Sequence, residues 1–281
     1  MSASPMHKVF AVFIILLFLN PRSFAWGPEG HRIVAILAQE RLTANAKHEI
    51  KALLGDESLT SIATFADDIR KIRPGTKRWH FVDIPFGQSI YDAKRDCQET
   101  ENGDCIVAEL ERAKEDLRNT AFPIAKRAEA LKFIVHFIGD IHEPMNCVDN
   151  LDSGGNYVPI TWFGKKSNLH EIWDNEIIMK TNLPEKEYAE GLDRWLDSQD
   201  EREIRSGTII DWANQCHLVA EQAAYPGTEH GGSLDVSYFV ANRFVVDQQL
   251  ATAGVRLAEM LNNIFRPQGT DHYHKSLEHF R

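Results

Sequence analysis

The chain has 281 residues, of which 43% are hydrophobic, so it is long enough to bury the core of one large domain or two small ones. Its 31 basic residues are outnumbered by 41 acidic ones, which gives a formal net charge of −10. This charge excludes a protein that binds nucleic acid through a broad basic surface, because a chain this acidic would contact few phosphates and would need metal ions for local positive charge.

The first residues have the pattern of a secretory signal peptide. A lysine precedes the apolar run Val9–Leu19, and the small-x-small sequence Ser23–Ala25 follows. A membrane-spanning helix needs about 20 apolar residues, and this run is much shorter. We therefore expect a signal peptide at residues 1–25, a mature chain of residues 26–281 that begins with Trp26, and a secreted or periplasmic protein with no stable membrane association.

Helical periodicity dominates the rest of the chain. The predicted helical segments are Ile33–Leu42, Ala44–Leu54, Leu59–Ile72, Val107–Leu117, Ala125–Ile141, Leu169–Met179 and Asn242–Ile264. Strand-forming residues after the Gly154-Gly155 turn predict one short β-hairpin at Tyr157–Phe163. Without internal repeats or low-complexity linkers, the simplest prediction is an all-α fold. It is a single helical domain with one short hairpin and a flexible tail after about residue 267. A monomer is assumed.

The chain has four cysteines, Cys97, Cys105, Cys147 and Cys216. An even number in an exported chain favours two disulfide bonds. Cys97 and Cys105 flank a polar loop and are the expected local pair, whereas the other connectivity stays open. Zinc ligation by thiolates is the alternative, but no CxxC spacing supports it.

Two segments place a histidine and an aspartate four residues apart, as His136 with Asp140 and His170 with Asp174. Residues at this spacing share one face of a helix, so an imidazole and a carboxylate can converge on one cation. A buried His–Asp hydrogen bond would explain one pair. The presence of a second His–Asp pair favours metal sites that are built between facing helices.

Other candidate metal ligands are dispersed along the chain. Asp67 and His80 each stand alone, and a solvated carboxylate and a core histidine are equally good interpretations. The mature start, from Trp26 to His31, offers an α-amine, a carbonyl and an imidazole. An α-amine has a pKa of about 8, so a metal can displace its proton. The alternative is an ordinary surface terminus in which Pro28 begins a helix.

Together these segments resemble the trinuclear-zinc, single-strand-preferring class I nucleases of fungi, plants and bacteria, which are related in fold to bacterial zinc-dependent phospholipase C. The resemblance covers most of the mature chain. Its motifs are Trp26-Gly27-x-x-Gly30-His31, Ala66-Asp67-x-x-Arg70, Trp79-His80-Phe81-x-Asp83, the loop from Arg95-Asp96-Cys97 to Cys105, His136 to Pro144, Gly154-Gly155-Asn156, and Asn168-Leu169-His170 to Trp173-Asp174.

The resemblance implies a cofactor of three Zn²⁺ ions inside the helical domain. One zinc of a close pair would be bound by Asp67, His80, His136 and the bridging Asp140. The other would be bound by the backbone amine and carbonyl of Trp26, by His31 and by Asp140. The third zinc would be bound by His170 and Asp174.

The same resemblance implies a secreted endonuclease that hydrolyses single-stranded DNA and RNA to 5′-phosphorylated products, with 3′-nucleotidase activity as a further expectation. Asp67 and Asp140 would hold the catalytic metals. Arg70 lies three residues after Asp67 on the same helical face and would stabilise charge on the phosphate oxygens. Zinc phospholipase C is the alternative enzyme, because the same zinc cluster could hydrolyse the phosphate ester of a phospholipid.

Three residues are implied in substrate binding. Phe81 would stack on a base, Asp83 would accept hydrogen bonds from the polar edge of that base, and Asn156 would hydrogen-bond the substrate. Stacking requires an unpaired base, which explains a single-strand preference in an acidic protein. Core packing of Phe81 and a plain hairpin turn at Asn156 are the alternatives.

One position departs from the family pattern, which places a histidine ligand six residues after Asp140, where this chain has Asn146. A neutral amide oxygen is a weaker zinc ligand than an imidazole, so the occupancy of the third site stays open. His142 lies on a different helical face and is not expected to substitute. A catalytically weakened zinc-binding relative is therefore the second class of function. We expect Asn146→His to raise zinc content and rate, whereas equal zinc and equal rate would show that another residue, or water, already completes the site.

Overall fold

The computed structural model describes residues 26–228 and 232–267, so the expected signal peptide and the polar tail lie outside the described residues. Helices dominate the described parts and enclose one apolar core. Their bounds are α1 Pro28–Glu40, α2 Ala44–Leu54, α3 Leu59–Ile62, α4 Phe65–Ile72, α5 Ala93–Asp96, α6 Ile106–Arg118, α7 Ile124–Asp140, α8 Leu169–Glu171, α9 Ile177–Met179, α10 Glu185–Leu196, α11 Glu201–Arg205, α12 Ile209–Val219 and α13 Val236–Ile264. The predicted mostly helical fold is confirmed.

Helices α1, α7 and α13 form the centre of the bundle. Helix α1 packs against α13 and α10, and α7 packs against α6 while also contacting α1, α4 and α13. Every residue from Phe133 to Asp140 in α7 is buried. Polar side chains in that stretch therefore face the interior of the protein, where they require partners.

The prediction of one continuous helix over Leu59–Ile72 is wrong. Helix α3 ends at Ile62 and α4 begins at Phe65, so the chain leaves the helical path at Ala63 and Thr64. The carbonyl of Ala63 accepts a hydrogen bond from Nδ1 of His136 at 2.7 Å. In an unbroken helix that carbonyl would have an intrahelical partner, so the break makes it available to orient the histidine.

The predicted helical segment Leu169–Met179 contains a widened turn. It consists of α8, a π-helical turn at Ile172–Glu176 and α9. Single π turns inside helices are frequent at functional sites. This one contains Asp174, whereas His170 lies just before it in α8.

Helices α10 and α12 are absent from the sequence prediction. Helix α10 buries Tyr188 and Leu192 on one face, and α12 begins with a capping box in which Thr208 and Asp211 bind each other's backbone N–H groups. Both signals are local and readable from the sequence. A π-helical turn at Ala220–Ala224 follows α12.

A small sheet contains a hairpin at the predicted place, but the predicted segment Tyr157–Phe163 covers only its first strand. Strands β1 Pro159–Trp162 and β2 Lys165–Asn168 pair antiparallel, and β3 Gly232–Leu234 adds to the other edge of β1 in parallel. The third strand comes from a distant part of the chain and was not predicted. Asn168 ends β2 and caps α8, because its side chain accepts a hydrogen bond from the N–H of Glu171 at 2.8 Å. The hairpin therefore fixes the start of the helix that carries His170.

Two disulfide bonds are present. Cys97 pairs with Cys105, as expected, and Cys147 pairs with Cys216. The second bond joins the 3₁₀ turn Pro144–Cys147, which follows α7, to α12. Among the described residues, no helix combines the length and the apolar character that crossing a bilayer requires.

Candidate metal centre and active site

The completely buried carboxylate of Asp140 lies at the centre of the site, at the C-terminal end of α7. Its Oδ1 lies 3.1 Å from Nε2 of His31. Its Oδ2 lies 2.9 Å from Nδ1 of His80 and 3.2 Å from Nε2 of His136. Imidazoles from α1, α7 and the 3₁₀ segment Pro74–His80 therefore converge on one carboxylate.

The close approach of α1 to α7 depends on Gly139. The rings of His31 and His136 stack with centroids 3.9 Å apart and an interplanar angle of 17°. A Cβ atom at Gly139 would lie 2.7 Å from Nδ1 of His31, well inside van der Waals contact. A side chain at this position would therefore displace the ring of His31.

Asp67 and Arg70 border the same group from α4. Oδ1 of Asp67 lies 3.9 Å from Nε2 of His136 and 3.2 Å from Nη2 of Arg70. The predicted shared face of Asp67 and Arg70 is therefore observed. The sets His31–Asp67–His136 and His80–His136–Asp140 each offer ligand atoms that lie within 4.8 Å of one another.

The protonation states of these buried groups favour a cation. Burial lowers the pKa of His80 to about 4, so its ring is neutral at physiological pH. Burial alone would raise the pKa of Asp140, but the surrounding histidines hold it well below its usual range. His136 is different, because Asp140 and Asp67 outweigh the effect of burial and raise its pKa. A metal would replace the proton of His136.

A second group of potential ligands contains His170, Asp174 and Glu143, all buried, and their ligand atoms also lie within 4.8 Å of one another. Nε2 of His170 lies 3.4 Å from Oδ1 of Asp174 and 4.0 Å from Oε2 of Glu143. Burial raises the pKa of Glu143 to about 8, and burial with neighbouring carboxylates raises that of Asp174 well above its usual value.

Unsatisfied polar atoms concentrate in these groups. Buried side-chain nitrogen and oxygen atoms without a hydrogen-bond partner, among the described residues, belong to Trp26, His31, Asp67, His80, Asp140, Glu143, Ser167, His170, Asp174 and His217. All but Ser167 and His217 belong to one of the two groups or to Trp26, whose unpartnered atom is the indole Nε1, a hydrogen-bond donor and not a metal ligand. Leaving so many buried polar atoms unpaired is costly, and the imidazole nitrogen and carboxylate oxygen atoms of the two groups are the donors that zinc binds. The donor set therefore fits a metal cluster.

Trp26 is completely buried, which is unusual for the expected first residue of a mature chain. The N–H of the next residue, Gly27, donates to the carbonyl of Asp174 at 2.9 Å. A Cβ atom at Gly27 would lie 1.5 Å from Oδ1 of Asn175. Trp26 is thus held against the segment that supplies the second group.

Asn146 and His142 both lie in the turn that follows Asp140. Asn146 is buried, and its Nδ2 donates to the carbonyl of Asp140 at 3.3 Å. Nδ1 of His142 donates to the carbonyl of Ile138 at 2.8 Å, and its Nε2 accepts from Nη1 of Arg256 at 2.9 Å. Both ring nitrogens of His142 are therefore hydrogen-bonded to groups outside the cluster.

The predicted base-binding residues share one partner. The guanidinium of Arg78 lies 5.3 Å from the centroid of the Phe81 ring, and its Nη1 lies 3.2 Å from Oδ2 of Asp83. Phe81 and Asp83 are half-buried. Both side chains therefore keep some exposed surface.

Asn156 contacts the second metal group through His170. Its Nδ2 donates to the carbonyl of Ser153 at 2.8 Å and lies 3.0 Å from Nδ1 of His170. The same Nδ1 lies 2.7 Å from the carbonyl of Gly154. Gly154 has a φ of +59°, and a Cβ atom there would lie 2.4 Å from the carbonyl oxygen of Met145, so only glycine fits.

Glu143 and Arg256 are the buried polar residues at the site that sequence reasoning missed. Glu143 lies inside the His136 to Pro144 motif and could have been noticed as a carboxylate three residues before Asn146. Arg256 comes from α13, far along the chain, and donates to His142 and to the carbonyl of Ile204. No local pattern marks it.

A mostly helical protein with two buried groups of histidines and carboxylates belongs to the class of candidate metalloenzymes. The sequence model described as S1/P1 Nuclease matches residues 26–266. Endonuclease 2 of Arabidopsis thaliana is 31% identical, over 92% of this chain and 98% of the relative. Nuclease S1 of Aspergillus oryzae is 30% identical over the same shares, and Nuclease P1 of Penicillium citrinum is 27% identical over 85% of this chain and 97% of the relative.

The chain therefore belongs to the S1/P1 nuclease family, which confirms the resemblance drawn from its motifs. It is a metal-dependent nuclease, that is, a phosphodiesterase whose substrate is nucleic acid.

Proposed function

We propose that this chain is a secreted, zinc-dependent nuclease that hydrolyses single-stranded DNA and RNA to 5′-phosphorylated products and also has 3′-nucleotidase activity. The observation that carries the proposal is the convergence of three imidazoles on the buried carboxylate of Asp140. A buried carboxylate between histidines is suited to bridging two cations. The acidic balance of the chain supports the same conclusion, because metal ions would have to supply positive charge to the phosphate.

The residues present fit the three-zinc arrangement. In this proposal Asp67, His80, His136 and Asp140 hold one zinc of the close pair. The α-amine and carbonyl of Trp26, with His31 and Asp140, hold the other. His170 and Asp174 hold the third. When bound, zinc supplies Lewis acidity and generates a nucleophile from water near neutral pH.

Arg70 supplies the positive side chain of the proposed mechanism. It is paired with Asp67, which orients the guanidinium beside the close-pair ligands. A guanidinium forms two parallel hydrogen bonds to phosphate oxygens, so Arg70 can bind the substrate and stabilise the charge that grows on it during in-line attack. Asp67 thus has two proposed roles, one as a metal ligand and one as the partner of Arg70.

Phe81 and Asp83 are the proposed base-binding residues. The exposed part of the Phe81 ring offers a stacking surface that an unpaired base can reach, whereas a base inside a duplex cannot. Asp83 would accept hydrogen bonds from the base, and Arg78 holds its carboxylate in place. Asn156, beside His170, would contact the substrate near the third zinc.

Secretion is part of the proposal. The apolar run and the small-x-small sequence before Trp26 support cleavage after Ala25. The family match that begins at residue 26 and the two disulfide bonds agree with an exported mature chain.

The function is tested by comparing substrates with the purified mature protein. We expect hydrolysis of single-stranded DNA and RNA to exceed that of duplex DNA, to stop when a chelator removes the metal, and to return when Zn²⁺ is added. Mass spectrometry should show 5′-phosphorylated products. Turnover of phosphatidylcholine without nucleic acid hydrolysis would instead show a phospholipase, and bound zinc without any turnover would show a non-catalytic relative.

A further inference from the structure

The second metal group contains a carboxylate that the family pattern does not require. Nε2 of His170 lies 3.4 Å from Asp174 and 4.0 Å from Oε2 of Glu143. Ligands at about 2.0–2.1 Å from a tetrahedral zinc are separated by about 3.3 Å. A small inward movement of Glu143 would therefore place all three residues on one ion.

The backbone fixes the position of the Glu143 side chain. Glu143 is the N-cap of the 3₁₀ turn Pro144–Cys147, and its Oε2 accepts a hydrogen bond from the N–H of Asn146 at 2.8 Å. The side chain is completely buried, and its Oε1 has no hydrogen-bond partner. A buried carboxylate oxygen without a partner is costly unless it binds a cation.

The residues that face Glu143 also have unpartnered atoms. Nε2 of His170 and both carboxylate oxygens of Asp174 have no hydrogen-bond partner. The carbonyl of Gly154 accepts from Nδ1 of His170, which leaves the lone pair of Nε2 for a metal. The amide of Asn146, by contrast, donates to the carbonyl of Asp140.

We propose that Glu143 is a ligand of the third zinc and replaces the histidine that the family pattern places at Asn146. Both positions lie in the turn after Asp140, so the chain supplies the missing donor from three residues earlier. The third site then consists of one imidazole and two carboxylates. This inference rests on the proposed zinc-dependent function, but counting metal ions tests it without turnover.

The test measures zinc per chain by inductively coupled plasma mass spectrometry in the mature protein after dialysis against a fixed free Zn²⁺ concentration. Glu143→Gln keeps an oxygen that can accept from the N–H of Asn146, so the turn is preserved while the charge is lost. We expect this variant to bind one zinc fewer, with at least about a 100-fold weaker third site, because loss of supporting partners alone costs about 10–100-fold. The matched control Asn146→Ala should keep its zinc.

Two double variants assign the lost ion to the third site. Glu143→Gln combined with His170→Ala should lose no more zinc than His170→Ala alone, since both changes remove the same ion. Glu143→Gln combined with Asn146→His should regain the zinc, because it restores the family arrangement. Asn146→His alone should change zinc content little. Circular dichroism and the thermal unfolding midpoint in a chelator confirm that each variant folds.

Full zinc occupancy in Glu143→Gln overturns the proposal. Loss of zinc from Asn146→Ala but not from Glu143→Gln also overturns it and assigns the ligand to Asn146. If Glu143→Gln lowers the zinc content but the wild-type protein hydrolyses no nucleic acid, the ligand assignment is supported and the proposed function is contradicted. The experiments therefore distinguish failure of the ligand assignment from failure of the proposed function.

Discussion

Trp26 is the residue whose chemistry depends most on processing. It is completely buried, and the N–H of the adjacent Gly27 is bonded to the carbonyl of Asp174. As the first residue of the mature chain it would offer an α-amine, which metals can deprotonate. As an internal residue it would offer only an amide nitrogen. The proposed metal site therefore depends on cleavage at the expected position, before Trp26, as well as on the side chains.

Insertion of one alanine before Trp26 in the mature protein tests this dependence. We expect the variant to lose one zinc of the close pair and its nuclease rate to fall by at least about 100-fold, since a direct ligand is lost. The control Trp26→Phe keeps the α-amine and should keep its zinc while losing some stability. Unchanged zinc and rate in the alanine insertion would remove Trp26 from the ligand set.

At the scale of elements, the contact between α1 and α7 determines the geometry of the close pair. Gly139 allows the His31 ring to stack on His136, because a Cβ atom would lie 2.7 Å from Nδ1 of His31. Helix α10 offers a matched position at Gly191, where the nearest heavy atom to an added Cβ is Nη2 of Arg194 at 3.9 Å. The same substitution should therefore have opposite effects in the two helices.

We expect Gly139→Ala to cost about 1–3 kcal/mol of folding free energy through overpacking and to weaken zinc binding at His31. Gly191→Ala should stabilise the protein by about 0.5–1 kcal/mol, because alanine favours the helix and its Cβ fits without a steric clash. Chemical denaturation in a chelator gives the two free energies, and zinc titration gives the affinity. Equal stability and equal zinc affinity in Gly139→Ala and wild type would contradict the role of this glycine.

At the scale of the whole molecule, the disulfide between Cys147 and Cys216 connects the turn after Asp140 to α12. It spans a sequence separation of 69 residues, whereas Cys97–Cys105 spans 8. In the chain-entropy description, closing the longer loop contributes about 4 kcal/mol and the shorter about 2.5 kcal/mol. The longer bond also lies next to Asn146 and the turn that Glu143 caps.

Replacing Cys147 and Cys216 together by alanine should therefore destabilise the protein more than replacing Cys97 and Cys105. We also expect only the first pair to weaken the third zinc site, because it releases the turn that carries Glu143. Denaturant unfolding of both double variants, with zinc counted in each, makes the comparison. Equal losses of stability, with zinc unchanged in both, would show that neither bond supports the metal centre.

A feature of this site could be predicted from the sequence when the residues that form it lie close together along the chain. The pairs His136–Asp140 and His170–Asp174 were found because helical geometry places residues four apart on one face. Arg70 was placed beside Asp67 by the same rule. The family resemblance supplied the grouping of Asp67, His80 and Trp26 around these pairs, which no local pattern gives.

Other features required the folded chain. The helix break at Ala63 has a role at the site because it frees the Ala63 carbonyl to accept a hydrogen bond from His136, which lies far along the chain. The role of Arg256 follows from the packing of α13 beside His142, since no periodicity records that contact. The third strand and the Cys147–Cys216 bond likewise join segments distant in sequence.

The amino-acid sequence indicated the helical class and the two His–Asp pairs, because these follow from hydrophobic periodicity and from spacing within about one helix turn. The family resemblance indicated the other ligands and the departure at Asn146. The packing of the folded chain determined which donors meet. It placed Glu143 beside His170 and Asp174, and it directed the Asn146 amide to a backbone carbonyl. A metal site is defined by the convergence of atoms in space, and that convergence depends on how separate elements pack.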